Sequence, residues 1–185
     1  MTQQTTTKVN GVGVGAVKEL AGTLQKDASQ ANYKFTVKNK WIDGGYSHTT
    51  IREFYGPSEK IEHKQPFELD ADEPPALAGE DRGANPVEHL LNALASCITG
   101  AVVYHAAVRG IKIDELESEL VGDIDLRGLL GIADDVRPGY SNIRVNFKIK
   151  TDEQDLDKVK ALSEFSPVHD VVRHGTKVDL TMERM

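Results

Sequence analysis

The most reactive type of side chain in this sequence occurs once, as a single cysteine. Cys97 is the only thiol among 185 residues, so no disulfide can form within the chain. A thiolate attacks peroxides and disulfides when a nearby cation lowers the pKa of the thiol. A free cysteine is, however, more often a small apolar side chain in a protein core. The sequence leaves both roles open, because it does not show which cation stands beside Cys97.

The six histidines do not suggest a metal site. Zinc sites draw their ligands from short, fixed spacings. His169 and His174 are five residues apart, a spacing that separates them on a helix. The other four do not form such a spacing either, because His48 and His63 lie in separate predicted strands and His89 and His105 lie sixteen residues apart. We therefore predict no metal and no other cofactor.

Net charge and the first residues exclude several classes of protein. The chain has 22 Lys and Arg against 29 Asp and Glu, a formal net charge of −7. Nucleic acids and anionic membranes would repel such a surface, so we expect neither as a partner. Residues 1–10 lack the basic start and apolar run of a signal peptide. A lone thiol also stays reduced most easily inside the cell, so we expect a cytoplasmic protein.

One long helix, from Pro86 to about Arg109, is the best-marked element of the sequence. Asn85 is a good N-cap, Pro86 suits the first helical position, and Glu88 stands where a capping-box carboxylate belongs. Gly110 is a suitable C′ residue to end the helix. The helix carries Cys97 near its middle, so its packing decides whether the thiol is accessible.

The interior of this helix is apolar on nearly all faces. From Leu90 to Val108 it approaches the length of a membrane span. Polar residues interrupt that stretch: Asn92, Ser96, Thr99, Tyr104 and His105. The buried central helix of a soluble protein is therefore the better interpretation, and we expect no membrane association.

The first half of the chain predicts a helix followed by an antiparallel meander. Helical spacing of apolar residues runs from Val12 to Asp27. Alternating patterns with turn residues between them predict strands over Tyr33–Trp41, Ser47–Tyr55 and Ile61–Leu69. An acidic, proline-containing loop follows from Asp70 to Ala84, and loops of this length are often functional.

The second half predicts two strands, two helices and a last strand. In chain order these are a strand over Ile111–Leu126, an insertion over Arg127–Pro138, a strand over Tyr140–Lys150, a helix over Asp152–Phe165 with Leu156, Val159 and Leu162 inward, a short helix from Ser166-Pro167 to Gly175, and a strand over Lys177–Met182. Strands and helices segregate in the first half, so we predict an α+β fold.

Several segments of the chain resemble the OsmC/Ohr family, the osmotically inducible protein C and organic hydroperoxide resistance proteins. The most specific are residues 72–88, with Asn85-Pro86-Val87-Glu88, and the run Leu94-Ala-Ser-Cys97 at the family's spacing. Residues 104–111 and 166–168 fit as well. The resemblance covers Trp41 to the C-terminus, and we expect one OsmC-like domain over residues 1–185, with residues 1–30 as an N-terminal helical extension.

The resemblance implies antiparallel sheets around the long buried central helix in an intertwined homodimer. It also implies chemistry, because peroxidases of this family reduce small organic hydroperoxides through a thiolate that becomes a sulfenic acid. A second cysteine then forms a disulfide, which an external dithiol reduces, while an arginine and a glutamate hold the thiolate and the peroxide. Here the resemblance places the nucleophile at Cys97 and the arginine at Arg52. An exposed strand position for Arg52 remains an equal alternative.

The sequence departs from the peroxidase pattern at two positions. Ser166 stands where the second cysteine belongs, and Val87 stands where the glutamate belongs, ten residues before Cys97. Glu88 does not replace that carboxylate, because nine residues place it on roughly the opposite helix face from Cys97. Glu88 is better explained as a cap.

Two hypotheses about function follow. In the first, the protein is a one-cysteine, thiol-dependent peroxidase in which Cys97 attacks the hydroperoxide, Arg52 orients the thiolate and an external thiol reductant resolves the sulfenic acid. In the second, peroxidase activity is lost, and the protein binds a small hydrophobic or thiol ligand at the dimer interface. A purely structural role is a third possibility, against which the length of the loop from Asp70 to Ala84 argues.

Overall fold

The computed structural model describes residues 8–185, which divide into two compact units. Residues 13–90 form the first unit, and residues 8–12 together with 91–185 form the second. The boundary falls within the long helix, after Leu90. Residues 1–7 of the predicted N-terminal extension lie outside the described residues.

Eight strands and five α-helices make up the described part of the chain. In order they are β1 (Lys8–Val9), β2 (Val12–Gly13), α1 (Val14–Lys26), β3 (Lys34–Phe35), β4 (Lys38–Asp43), β5 (Tyr46–Tyr55), β6 (Lys60–Ala71), α2 (Pro86–Val108), β7 (Ile113–Asp123), α3 (Leu126–Leu129), β8 (Asn142–Thr151), α4 (Leu156–Ala161) and α5 (Pro167–His174), with short 3-10 turns at Ala28–Ala31, Pro75–Leu77 and Leu162–Phe165. The mixed helices and antiparallel strands confirm the predicted α+β class.

The first unit is built around β5, which pairs antiparallel with β3, β4 and β6. The predicted meander is therefore confirmed, with one correction. The strand expected over Tyr33–Trp41 is two strands, interrupted at residues 36–37. There the hydroxyl of Thr36 donates to the carbonyl oxygen of Glu53 at 2.7 Å, so a side chain replaces the backbone ladder.

A chain of ring contacts runs across β3, β5 and β6, and we call it the aromatic cluster: Tyr33, Phe35, Phe54, His63 and Phe67. Neighbouring ring centroids in the cluster lie 5.1–6.5 Å apart. Three of its members remain open to solvent, with Phe35 77%, Phe67 50% and Tyr33 45% exposed. One copy of the chain thus leaves a large part of this apolar surface uncovered.

The loop between β6 and α2 is closed at its base. Ala71 and Ala84 form a parallel bridge, and the amide of Asp81 donates to the carbonyl oxygen of Glu73 at 3.1 Å. The carboxylate of Asp72 is fully buried inside the loop. The predicted long loop is therefore a fixed structure rather than a loose crossing between sheet and helix.

The ends of α2 follow the predicted capping residues. The side chain of Asn85 accepts a hydrogen bond from the amide of Val87, and the carboxylate of Glu88 accepts one from the amide of Asn85, both at 2.9 Å. This reciprocal pair is a capping box. At the other end Gly110 adopts a positive φ of 77°, and the amide of Ile111 donates to the carbonyl oxygen of Ala106 at 2.9 Å.

The second unit packs α2 against a two-stranded antiparallel sheet of β7 and β8. Four of the five buried residues of the helix lie at four-residue spacing: Leu94, Ile98, Val102 and Ala106. They meet the alternating side chains of β8, namely Ile143, Val145, Phe147 and Ile149. By length and composition α2 could also cross a membrane, and the same helix contributes these four residues to the core of the second unit.

Three predictions for the last quarter of the chain are wrong. The helix expected from Asp152 begins only at Leu156, because the side chain of Asp155 caps it by accepting from the amide of Asp157. Leu156 is 55% exposed rather than inward, whereas Val159 and Leu162 are buried as expected. The strand expected over Lys177–Met182 is absent, since these residues pair with no strand among those the structure describes.

Candidate active site

Cys97 lies on α2 next to Ile98, which belongs to the buried face of the helix. Its neighbour Ile98 is 3% exposed, whereas Cys97 itself is partly exposed. Tyr104, seven residues later, lies on the same side of the helix as Cys97 and is 53% exposed. Leu90, seven residues before, is 40% exposed. The thiol therefore belongs to a partly open apolar line rather than to the packed face of the helix.

Arg52 lies on β5 in the first unit and is exposed. It borders a shallow hollow together with Lys38, Thr50 and Glu53. The carboxyl pKa of Glu62 is lowered, first by a hydrogen bond from Lys60 and further by the charge of Arg52. The two predicted site residues are thus placed in different units, Arg52 in the first and Cys97 in the second.

Of the two positions that depart from the peroxidase pattern, Ser166 has a structural role for its side chain, whereas Val87 contributes a backbone amide. The amide of Val87 donates to the Asn85 cap, and Glu88 completes that cap as predicted. Ser166 is fully buried, and its hydroxyl oxygen accepts from the amide of His169 at 3.2 Å, which makes it the N-cap of α5. In this chain the residue at the second-cysteine position starts a helix.

Sequence reasoning missed a polar ladder between β5 and β6 in the first unit. His48 reaches two carboxylates, with Nδ1 2.8 Å from Asp70 and Nε2 2.9 Å from Glu68. Tyr46 donates to Asp70 at 2.9 Å, and Thr50 donates to Glu68 at 2.7 Å. The alternation that produces this ladder is visible in the sequence. Residues 46, 48 and 50 alternate along β5, and residues 68 and 70 alternate along the neighbouring β6.

The ladder changes the acidities of its members. The pKa of His48 is raised, chiefly by its hydrogen bond to Asp70, with the bond to Glu68 adding to the effect. The pKa of Asp70 is lowered by the hydrogen bonds from His48 and Tyr46. Both shifts favour an imidazolium between two carboxylates.

The loop before α2 is held by an ion pair around Asp72. Its carboxylate accepts from the Nε of Arg82 at 2.9 Å and from the amides of Glu73 and Arg82 at 2.9 and 3.2 Å. The Arg82 hydrogen bond lowers the pKa of Asp72. The guanidinium also stacks over the ring of Tyr46, 4.4 Å from its centroid, so the loop and the polar ladder are one connected network.

An apolar cleft of about 740 Å³ opens in the second unit between α2, the sheet and α4. Its walls include Ile98 and Val102 of α2, Phe147 of β8 and the partly open Leu156 of α4. Cys97 does not line it. The volume is within the range of small-molecule sites, about 300–1,000 Å³.

Among residues 8–185, no group of three or more His, Cys, Asp or Glu side chains is arranged to hold a metal ion. Near the end of α2, the ring of His105 stacks on Phe165 with centroids 3.9 Å apart, and Arg109 lies over the same ring at 5.4 Å. Burial and then the charge of Arg109 lower the pKa of His105. This cluster holds the end of α2 against the turn that precedes Ser166.

Solved structures share the fold of this chain. An OsmC-like protein from Mycoplasma pneumoniae aligns over 76% of this chain and 88% of its own, with a TM-score of 0.56 and 18% identity. A protein of Psychrobacter arcticus, named for osmotic stress induction and a detoxification response, aligns over 76% and 89%, with a TM-score of 0.56 and 16% identity. An OsmC-like protein of unknown function from Vibrio cholerae aligns over 74% and 92%, with a TM-score of 0.56 and 11% identity.

These likenesses confirm the predicted OsmC-like fold. A search of curated proteins finds no match. The family model for OsmC-like protein matches residues 79–181, a range that includes all of α2 and reaches through α5. Since this match spans more than half of the sequence, the chain belongs to the OsmC-like protein family.

Proposed function

We propose that the protein is a one-cysteine, thiol-dependent hydroperoxide reductase of oxidative-stress defence, with Cys97 as the nucleophile. The observation that carries the proposal is the place of Cys97 on the open line of α2, beside the exposed Tyr104. A core cysteine at the position of Ile98 would be closed to any substrate. Membership of the OsmC-like family supports the same chemistry.

The reaction is a two-electron exchange between sulfur and the peroxide bond. The Cys97 thiolate attacks the terminal oxygen of the hydroperoxide, the O–O bond breaks, and an S–O bond forms. The alkoxide leaves and takes a proton to become the alcohol, while Cys97 is oxidised to a sulfenic acid. One external thiol then displaces water to give a mixed disulfide, and a second thiol releases Cys97 with formation of the external disulfide. Ser166 cannot take the place of the first thiol, since a hydroxyl cannot form a disulfide with Cys97.

We place this chemistry in a homodimer located in the cytoplasm, where thiols are kept reduced. The aromatic cluster of the first unit, which one copy leaves open, supports a dimer. Exposed apolar patches of this kind mark protein interfaces. In the assembled dimer we propose that the positive charge of Arg52 orients the Cys97 thiolate.

The activity test is consumption of cumene hydroperoxide with excess dithiothreitol. Cys97→Ser is expected to abolish the protein-dependent rate, because a hydroxyl is a far weaker nucleophile at neutral pH. Ser96→Ala, which changes the exposed neighbour, is the matched control and is expected to keep the rate. Equal rates for the wild type and Cys97→Ser would overturn the proposal.

The role of Arg52 is tested by the rate of iodoacetamide labelling at Cys97. Arg52→Gln is expected to slow labelling near neutral pH, because it removes the positive charge proposed to orient the thiolate. Lys38→Gln removes a charge from the same hollow and is expected to leave the thiol unchanged. An unchanged labelling rate in Arg52→Gln would remove Arg52 from the site and leave the thiol chemistry standing.

A second candidate function is binding of a small hydrophobic or thiol ligand without catalysis, at the dimer interface. It is supported by the helix-capping role of Ser166, by Val87 at the position of the family's glutamate, and by the volume of the apolar cleft, which is within the range of small-molecule sites. Here Cys97 reacts slowly with iodoacetamide in the native protein and fast when unfolded. Fast native labelling together with hydroperoxide consumption would exclude this candidate.

A further inference from the structure

The ring of His48 engages two different carboxylates at once. A neutral imidazole carries one N–H and one acceptor nitrogen, so only the imidazolium can donate to both. Distances of 2.8 Å to Asp70 and 2.9 Å to Glu68 fit two such donations. The side chain is 38% exposed, so its proton can exchange with solvent without unfolding.

The groups around His48 come from every neighbouring element. Glu68 and Asp70 face it from β6, and Lys40 is its register partner on β4. Tyr46 and Thr50 flank it on β5 and donate to the same two carboxylates. From the loop Arg82 reaches Tyr46, and from α2 His89 reaches Asp70. The two carboxylates are the groups in direct contact with the ring.

Asp70 connects this ring to the loop and to the start of α2. The ring nitrogen Nε2 of His89, in the first turn of α2, lies 3.1 Å from the carbonyl oxygen of Asp70. Gly83 packs so tightly on the same peptide that a Cβ there would lie 2.4 Å from that oxygen. The adjacent bridge joins Ala71 to Ala84. A shift of Asp70 therefore displaces the end of the loop and the residues that cap α2.

We propose that His48 is a pH-sensitive positioning residue whose protonated ring fixes Asp70 and, through it, the loop over residues 72–85 and the first turn of α2. Loss of the proton removes one of the two donations and leaves neighbouring carboxylates without the charge between them. The loop and the helix start then open more often. This inference stands apart from the proposed thiol chemistry, because it concerns only contacts within the first unit.

The sign of the effect follows from the direction of the His48 shift. A histidine whose pKa is raised in the folded state stabilises that state below its ordinary value of 6.5, and the contribution is lost as pH rises through the folded value. The loop should thus be held more firmly at mildly acidic pH than at alkaline pH.

The experiment is hydrogen–deuterium exchange of peptides covering residues 72–90, at about pH 6 and about pH 8.5, corrected for the intrinsic rate of exchange. In the wild type, protection is expected to fall roughly three- to tenfold from the lower to the higher pH. This is the size expected when one partly exposed charge-assisted hydrogen bond is lost. His48→Gln is expected to show the low protection at both pH values. His63→Gln changes the histidine of the aromatic cluster and is expected to behave as the wild type.

A second variant covers the case in which His48→Gln does not fold, as judged by circular dichroism. Asp70→Asn keeps the backbone carbonyl that meets His89 but removes the charge that holds the imidazolium, and it too is expected to lose the pH dependence. Constant protection of the wild type, or an unchanged pH response in either variant, would overturn the proposal. Peroxidase activity is not a readout here, so failure of the thiol mechanism leaves this outcome unaffected.

Discussion

Replacement of Ser166 by alanine is the sharpest test of how this chain uses the position of the family's second cysteine. The hydroxyl oxygen of Ser166 accepts from the amide of His169 at 3.2 Å and begins α5, followed by Pro167 at the first helical position. Ser166 is fully buried. Alanine keeps the helix but leaves the amide of His169 without its acceptor.

The expected cost follows from that single bond. Loss of a serine N-cap costs about 0.5–2 kcal/mol. Because the site is closed to water, which cannot replace the hydroxyl, we expect the upper half of that range, about 1–2 kcal/mol. For a chain of 185 residues each kcal/mol lowers Tm by about 2–4 °C. Ser166→Cys should cost at least as much, since a thiol is a weak acceptor and sulfur is larger.

The assay is urea unfolding at one fixed protein concentration, followed by circular dichroism. Ser163→Ala is the matched control, because Ser163 meets His169 through its backbone carbonyl. We expect Ser163→Ala to stay within about 0.5 kcal/mol of the wild type. If Ser166→Ala and Ser163→Ala were equally stable, the cap would contribute nothing, and the case for Ser166 as a structural replacement would fail.

Three further predictions concern the core, the loop and the acid response. Leu94→Ala is expected to lower the free energy of unfolding by about 2–5 kcal/mol in urea, because the side chain is 2% exposed, whereas Leu129→Ala, at 53% exposure, should change it by less than about 0.5 kcal/mol. Gly83→Ala is expected to destabilise the loop, seen as faster exchange of its amides, since the new Cβ meets backbone atoms of Asp70, whereas Gly22→Ala, with nothing within 4 Å, should gain up to about 1 kcal/mol in helix α1. Asp72→Asn is expected to unfold at lower urea than the wild type near pH 6. The difference in urea midpoint between Asp72→Asn and the wild type should shrink as pH falls below 3.8. The pKa of Asp72 is lowered in the folded state, so its ionised carboxylate stops contributing to stability once it takes up a proton. A difference that stays constant with pH would contradict this.

Elements whose signals are local could be predicted from the sequence. The capping box of α2 occupies four consecutive residues, so its hydrogen bonds were implied by residue type and spacing alone. The alternation of Ile143, Val145 and Phe147 likewise predicted which side of β8 faces the core. The serine and proline at 166–167 marked the start of α5.

Elements that depend on distant partners could not. Val178, Leu180 and Met182 alternate as in a strand, yet they are 78–90% exposed and pair with nothing in the described chain. A strand needs a neighbour to satisfy its backbone, and the sequence pattern does not supply one. The strand over Tyr33–Trp41 was interrupted for a related reason, because a side chain bonds to a backbone carbonyl seventeen residues away.

Some residues of the candidate site could be predicted from the sequence, and others could not. Family spacing marked Cys97, and helical geometry correctly explained Glu88 as a cap. The network of His48, Asp70 and Arg82 was missed, because its members come from two strands and a loop whose register only the folded chain reveals. Asp72 could not be distinguished from the other acidic residues of the loop until its burial was known.

The exposed rings of the aromatic cluster have a consequence for the life of a newly made chain. Until a partner surface covers Phe35 and Phe67, each newly synthesised chain exposes these apolar rings within its first 70 residues. Such surface favours aggregation in competition with correct folding. We therefore expect yield to depend on the rate of synthesis, with slow expression at low temperature giving more soluble protein than rapid expression.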